Sequence, residues 1–137
     1  MQLPSRPTPI EDDISRPFWD ACRQHELRVQ RCEVCHNFQY FPGPICRACA
    51  STDLTWSAVS GLGTVYSFVV VHNVVTPGFP PDQPYVVAWI ELPEQRGLRL
   101  LSNVVDCPLN DVRIDLRVEV AFLDSDDFSV PVFHPAT

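Results

Sequence analysis

Two Cys-x-x-Cys pairs constrain the fold of this chain more than any other feature of the sequence. Cys32 with Cys35 and Cys46 with Cys49 use four of the six cysteines, and ten residues separate the two pairs. Such pairs form two facing tight turns that place four thiolates at the corners of a tetrahedron, the arrangement of a structural Zn²⁺ site with zinc–sulfur distances of about 2.3 Å. The gap is shorter than the roughly 15–20 residues of longer zinc modules, but it suffices for a short hairpin. The spacing therefore predicts a zinc ribbon.

The predicted metal site is structural rather than catalytic. Four cysteines complete a tetrahedron and leave no position for a water molecule or a substrate. His36 follows Cys35 directly, and we interpret it as a turn or supporting residue rather than as a ligand. The same four thiolates can hold iron, so the spacing alone leaves a rubredoxin-like redox protein open.

The composition excludes several classes of protein. The 137 residues allow one compact domain with a real core, and no stretch approaches the run of about 18 apolar residues that spans a membrane. The first residues lack the pattern of a signal peptide, so we expect a cytoplasmic protein without membrane association, where paired cysteines favour metal over disulfide bonds. A formal charge of −7 disfavours nucleic acid as a partner. The sequence contains no lysine, which excludes catalysis through a lysine Schiff base.

The N-terminal region is predicted to hold one short helix. Residues 1–14 are rich in proline and predict a mobile arm, whereas Pro17 and the apolar spacing after it predict a helix near residues 16–26. Phe18 and Trp19 on this helix either pack against the body of the domain or serve as an anchor for a partner, because two large aromatic side chains suit a docking surface.

From residue 54 onward the pattern changes to strands. Segments rich in β-branched and aromatic residues predict five strands, at 54–59, 64–73, 85–92, 98–105 and 116–123. Strands of this number and length match a small OB-type barrel, and the tail 125–137 is predicted to be extended. We therefore predict a mainly β fold with an N-terminal helix, a rubredoxin-like zinc ribbon and a five-stranded OB-fold barrel, divided into residues 1–14, 15–53 and 54–137.

Candidate contact residues outside the metal site are few. His72 ends the longest predicted strand, and Phe79 lies in the proline-rich loop 74–84 that follows. Both are predicted to contact a ligand or partner, and the loop and the ribbon are the predicted contact surfaces. Cys22 is expected to pack as a small apolar residue, and Cys107 follows an aspartate that opposes thiolate formation. No residue of this chain is predicted to be catalytic.

The order of these motifs resembles one family. A short helix with Phe18 and Trp19 leads into a strand, the two cysteine pairs flank an aromatic and proline-rich stretch, and a Ser-Gly-Leu-Gly segment begins at Ser60. Over roughly residues 15–135 this resembles the acyl-CoA-associated zinc-ribbon plus OB-fold proteins, the domain of unknown function 35 family. That family often has glycine at the turn positions where this chain has His36 and Asp115. Both are positions where glycine permits a positive φ angle.

The resemblance implies a non-catalytic partner of an enzyme that acts on CoA thioesters. Members of the family typically assist thiolase-fold enzymes or hydratases. They include a bridging protein in archaeal-type hydroxymethylglutaryl-CoA synthesis and a partner of a thiolase-like aldolase in bacterial steroid side-chain degradation. For this chain the resemblance implies a hetero-oligomer with a thiolase-fold enzyme, with an acyl-CoA thioester at or near the interface and a structural zinc ion. The steroid-type aldolase is our preferred hypothesis, and an enoyl-CoA hydratase or an acyltransferase is an alternative partner.

A second alternative is a binding module for single-stranded nucleic acid, since OB folds often have that role. Tyr66, Phe68 and Trp89 could supply rings for base stacking, but they also alternate as core residues should. The arginines are scattered along the chain, and its acidity disfavours this alternative.

Overall fold

The computed structural model describes residues 7–74, 79–80 and 82–137. In this part of the chain a helix is followed by a three-stranded sheet and a closed five-stranded barrel. The elements are helix α1 (Arg16–Arg23) and strands β1 (Arg28–Cys32), β2 (Phe38–Gln39), β3 (Leu54–Ala58), β4 (Leu62–Val71), β5 (Tyr85–Glu91), β6 (Arg99–Val104), β7 (Arg117–Asp124) and β8 (Ser129–Pro135), with one 3₁₀ turn at Leu109–Asp111. The mainly β fold with an N-terminal helix and a five-stranded OB-type barrel is therefore confirmed.

Helix α1 begins where the sequence predicts and ends three residues early. The backbone N–H of Ser15 donates to Oδ1 of Asp12 over 2.7 Å, and Pro17 occupies the first turn. His25 adopts a φ of 58°, and its N–H donates to the carbonyl of Cys22, so the chain leaves the helical path there. The helix buries one face, which includes Phe18 and Cys22, against the rest of the fold.

The ribbon sheet has the order β2–β1–β3, with antiparallel neighbours. Strand β1 is central and pairs with β3 along its whole length, from Arg28 opposite Ala58 to Cys32 opposite Leu54. The prediction that residues 54–59 form a barrel strand is wrong, because this segment extends the ribbon sheet instead. The division at residue 54 stays a prediction, and the barrel strands themselves begin at Leu62.

The fifth barrel strand is the C-terminal segment. The barrel order is β4–β5–β6–β8–β7, and β8 pairs with β7 along its whole length. The sequence predicts only an extended tail here. Strand β8 contains Pro131 and Pro135, although proline cannot donate to a strand ladder. The structure accommodates these prolines because the edge of β8 that faces β6 forms only one pair, Val104 with Phe133. This parallel contact closes the barrel.

The hydrophobic core fills the barrel and continues under the helix. Its fully buried members include Phe18, Val29, Val65, Ile90, Leu100, Val118 and Phe133. Because Phe18 and Val29 belong to the helix and the ribbon, one continuous core joins these elements to the barrel.

A β-bulge in β4 changes which side chains face that core. The register of β4 against β5 shifts between Val65 and Ser67, so Val65 and Phe68 turn inward while Tyr66 turns outward. Trp89 also lies on the outer face, opposite Leu101. The interpretation of Tyr66 and Trp89 as core residues is therefore wrong, whereas Phe68 packs against the core as expected.

A single side chain joins the ribbon to the barrel through two hydrogen bonds. Gln95, in the turn between β5 and β6, accepts from the N–H of Phe38 and donates to the carbonyl of Phe38, each over 2.8 Å. The next residue toward the N-terminus, Glu94, accepts from the N–H of Ser60 over 2.8 Å. The β5–β6 turn therefore holds the ribbon in place beside the barrel.

The structure describes only part of the N-terminal arm. Residues 1–6 lie outside the described residues, and the mobile arm over residues 1–14 stays a prediction. Within the described part, Glu11 forms an ion pair with Arg23 of the helix over 3.0 Å. No helix in the described ranges is long and apolar enough to cross a membrane.

Replacing Gly63 by alanine should destabilise the barrel by about 1–3 kcal/mol, because overpacking a closed core forces the backbone to shift. A Cβ atom at position 63 would lie 2.6 Å from Cγ2 of Ile90 and 3.0 Å from the carbonyl oxygen of Glu91. Gly43→Ala is the control, since a Cβ there meets no atom within 3.4 Å. Urea denaturation measures both variants, and equal midpoints would contradict this packing at Gly63.

Candidate metal centre and contact surfaces

The two cysteine pairs form two turns of the same construction. In the first, the N–H of His36 donates to the carbonyl of Cys32 over 2.9 Å; in the second, the N–H of Ala50 donates to the carbonyl of Cys46 over 2.8 Å. The fourth residue after the first cysteine has a positive φ in both turns, 65° at His36 and 64° at Ala50. Each turn therefore reverses the chain within five residues and directs its two sulfur atoms to the same side.

The geometry of the sulfur atoms fits a tetrahedral metal ion. All four Sγ atoms lie within 4.8 Å of one another, with Cys32 to Cys49 and Cys35 to Cys46 at 3.6 Å each. A tetrahedron with zinc–sulfur bonds of about 2.3 Å has sulfur–sulfur edges of about 3.8 Å. The structure thus brings together the four residues predicted to be ligands, and a donor set of four thiolates suits Zn²⁺.

Backbone N–H groups prepare two of these sulfur atoms as thiolates. The N–H of Cys35 lies 3.5 Å from Sγ of Cys32, and the N–H of Ala48 lies 3.3 Å from Sγ of Cys46. The hydrogen bond from Cys35 is the main cause that lowers the pKa of Cys32 to about 6. The pKa of Cys46 is lowered chiefly by the backbone N–H of Cys49. Both effects favour the deprotonated form that binds a metal.

Two buried glutamines, which the sequence did not mark as functional, hold the loop between the turns. Gln39 donates to Oε1 of Gln30 over 2.8 Å, and Gln30 in turn accepts from the N–H of Gly43 and donates to its carbonyl. Gln39 also accepts from the N–H of Arg47 over 3.0 Å. These contacts fix the start of the second cysteine turn against strands β1 and β2. The sequence shows only that Gln30 and Gln39 are uncharged polar residues within strand-like segments. The pairing of β1 with β2 places them opposite each other.

Two family models cover most of the chain. The model described as ChsH2, rubredoxin-like zinc ribbon domain, matches residues 19–55, and the model described as ChsH2, C-terminal OB-fold domain, matches residues 56–123. In the solved structure of the Ltp2-ChsH2(DUF35) aldolase, one chain aligns with this one at a TM-score of 0.86 and 35% identity, covering 95% of this chain and 100% of that chain. The chain belongs to the DUF35 family. The predicted zinc ribbon and OB-fold barrel are thereby confirmed.

Three curated relatives of this DUF35 protein carry informative names. The probable enoyl-CoA hydratase alpha subunit of Thermomonospora curvata is 36% identical over 96% of this chain, and the 3-oxo-4,17-pregnadiene-20-carboxyl-CoA hydratase alpha subunit of Mycobacterium tuberculosis is 34% identical over 86%. The chain spans only 40% and 36% of the lengths of these two relatives. The DUF35 domain-containing scaffold protein of Methanocaldococcus jannaschii is 42% identical over 67% of this chain and 64% of its own length.

His36 and Asp115 stand at turn positions where the family often has glycine. His36 and Asp115 have φ angles of 65° and 68°, so both adopt the left-handed backbone that glycine tolerates best. The DUF35 protein keeps the turn geometry at these positions despite the larger side chains.

The four residues predicted to contact a ligand or partner lie in two separate places. Phe18 is fully buried and Trp19 is nearly so, with its ring edge-on to Phe128 at 5.8 Å, so they pack on the domain itself, one of the two alternatives considered. His72 is exposed beyond the end of β4, and the half-buried ring of Phe79 lies 4.1 Å from that of Tyr85. Residues 75–78 and 81 of the predicted contact loop lie outside the described residues. Contact of these side chains with a partner stays a prediction, and in this structure Phe18 has no exposed surface to offer.

The thiols outside the metal centre are unsuited to nucleophilic attack. Burial raises the pKa of Cys22 to about 12, and burial together with the nearby Asp111 raises the pKa of Cys107. Both thiols therefore stay protonated near neutral pH, as the sequence analysis expected for residues without a catalytic setting.

Replacing Cys46 by alanine should release the metal ion, because three thiolates cannot complete the tetrahedron. Metal content per chain, measured by inductively coupled plasma mass spectrometry, should fall from about one zinc ion to nearly none, with a lower melting temperature. Cys107→Ala is the control, and it should keep its zinc. A Cys46→Ala protein with a full complement of zinc would contradict the assignment.

Replacing Gln39 by leucine should weaken zinc retention without removing a ligand. The change leaves the N–H of Arg47 without its partner and removes one of the two hydrogen bonds that Oε1 of Gln30 accepts, which costs about 1–3 kcal/mol. Competition with a chromophoric chelator measures the rate of zinc release, which should rise for Gln39→Leu. The same substitution at the exposed Gln24 is the control, and equal release rates from both variants would show that the glutamine pair does not support the site.

Proposed function

We propose that this chain is a non-catalytic accessory subunit of an enzyme that acts on acyl-CoA thioesters. The partner is a thiolase-fold aldolase that cleaves a steroid-type side chain. The chain stabilises this partner and shapes the path by which the CoA thioester reaches the catalytic residues, which belong to the partner.

The likeness over the whole chain to a subunit of a known complex is the observation that carries this proposal. The aligned chain of the Ltp2-ChsH2(DUF35) aldolase is matched over its full length at 35% identity, so no part of that chain lacks a counterpart here. The names of the curated relatives add independent support. Two are called subunits of CoA hydratases, one of them for a pregnadiene-carboxyl-CoA, and another is called a scaffold protein.

The chemistry of the described residues also supports an accessory role. The metal centre has four cysteine ligands and no open position for a substrate. The pKa values of Cys22 and Cys107 are raised, which disfavours their thiolates. His25 and Ser129 both contact Asp124, but the carboxylate lies between them, so the histidine does not contact the hydroxyl as a general base would.

A CoA hydratase is the second candidate partner. The names of two curated relatives favour it. In those relatives the matched region is well under half of the protein, so the hydratase activity can reside in the remainder. The two partners differ in reaction class, since an aldolase breaks a carbon–carbon bond and a hydratase adds water to a double bond.

Co-purification followed by reconstitution tests the proposal. The tagged chain is expressed in its own organism, and the enzyme that co-purifies with it is identified and then produced with and without the chain. We expect a stoichiometric complex that releases an aldehyde or ketone from a steroid-type hydroxyacyl-CoA, low activity of the enzyme alone and no turnover by the chain alone. Turnover by the isolated chain at the rate of the complex would refute the accessory role. Hydration of an enoyl-CoA by the complex would favour the second candidate.

A further inference from the structure

One outer face of the barrel is apolar where a solvent-facing barrel is normally polar. On strands β4, β5 and β6 four large outward side chains form what we call the aromatic face: Tyr66, Val69, Trp89 and Leu101, with exposed fractions of 49%, 58%, 44% and 53%. The ion pair of Glu91 with Arg99 lies at its edge. The inward neighbours Ile90 and Leu100 fill the core, so the face is a second apolar layer on the other side of the same strands.

The start of β7 shows the ordinary pattern of a barrel strand. Its outward residues Arg117 and Glu119 are exposed, while Val118 between them is fully buried. The outward cluster on β4 to β6 instead consists of large apolar and aromatic side chains. A cluster of half-exposed side chains of this size presents on the order of 400 Å² of surface, and patches of this size on monomers are often functional.

An arginine lies over one ring of the aromatic face. The guanidinium carbon of Arg99 is 3.5 Å from the centre of the Tyr66 ring, and its Nε donates to Glu91 over 3.1 Å. Tyr66, Trp89 and Arg99 also line a crevice of about 280 Å³, together with Tyr40 of the ribbon. Tryptophan, tyrosine and arginine are the residues that contribute most to binding at the centres of protein interfaces.

The apolar surface continues from the barrel onto the ribbon. The ring of Tyr40, which lines the crevice, is 5.4 Å from that of Phe41, and Phe41 is exposed. A stable interface buries about 800 Å² on each partner, so the aromatic face is large enough to form its centre while the ribbon supplies part of its edge.

We propose that the enzyme subunit docks on the aromatic face, through an apolar surface of its own with a carboxylate placed opposite Arg96. This rests on the proposed function, because that function supplies the partner. Arg96 precedes Gly97, which lines the same crevice, and no described residue forms an ion pair with Arg96. An acidic rim on the partner therefore complements this edge of the face.

The charges disfavour the two other occupants. A second copy of the chain would join two chains of formal charge −7. Single-stranded nucleic acid uses aromatic rings and arginines, but it needs a basic groove, and Arg99 is already paired with Glu91.

The test uses the enzyme that co-purifies with the wild-type chain. Its affinity for the wild-type chain is measured by biolayer interferometry and compared with those for Trp89→Ala and Leu101→Asp. Leu109→Asp, at an exposed leucine on the 3₁₀ turn, is the matched control. Circular dichroism and zinc content establish that each variant is folded. We expect a loss of affinity of roughly 30-fold or more for the two variants in the face and less than about threefold for the control.

The outcomes separate this inference from the proposed function. If no acyl-CoA enzyme binds the wild-type chain, the proposed function fails and the inference fails with it. If the enzyme binds the wild type and the folded face variants equally well, the proposed function stands and this docking face is refuted. A wild-type dimer that Trp89→Ala converts to a monomer, or an oligonucleotide complex that the same change abolishes, would also refute it in favour of that occupant.

Discussion

Four cysteine sulfur atoms within 4.8 Å of one another are the constraint on which the ribbon depends. As thiolates they repel each other, and only a cation among them turns that repulsion into attraction. The two turns are built for this arrangement, with a positive φ at the same position of each and backbone N–H groups directed at the sulfur atoms. The ribbon sheet itself is small, because it has three strands and one of them spans only two residues.

The ribbon and the barrel are joined by contacts of different kinds. A continuous hydrophobic core links Phe18 and Val29 to Phe133 of the last strand, while Gln95 forms two hydrogen bonds to the backbone of Phe38. The apolar contacts supply stability, and the directional hydrogen bonds set the orientation. This fixed orientation matters for the proposed docking face, since the face includes the outer barrel strands and continues onto the ribbon through Tyr40 and Phe41.

The barrel uses its two surfaces for different purposes. Closing the sheet gives every strand a buried inner face and leaves the outer face under no packing constraint. At the start of β7 the outer face carries the charged residues Arg117 and Glu119, whereas on β4 to β6 it also carries a cluster of exposed aromatic and aliphatic side chains. Exposed aromatic and aliphatic side chains are poorly solvated, and on the outer surface they do not contribute to the core. Contact with another molecule best explains their cluster on β4 to β6.

Local chemistry accounts for what the sequence by itself determined. The cysteine spacing established the metal centre, Pro17 marked the start of the helix, and β-branched runs located four of the five barrel strands, because each of these signals lies within a few neighbouring residues. The positive φ angles at His36 and Asp115 are different, because only the resemblance to the family marked these two positions as turns.

Only the tertiary structure decided which strands belong to which sheet and which side chains face out. Strand β3 pairs with the ribbon, and β8 closes the barrel despite its two prolines, because both outcomes depend on partners far away in sequence. The bulge between Val65 and Ser67 places Tyr66 and Phe68 on opposite faces although they are two residues apart, so Tyr66 lies on the surface while Phe68 packs against the core. Side-chain direction in a strand has a period of two, and one extra residue in a ladder is enough to exchange the core face with the outer face.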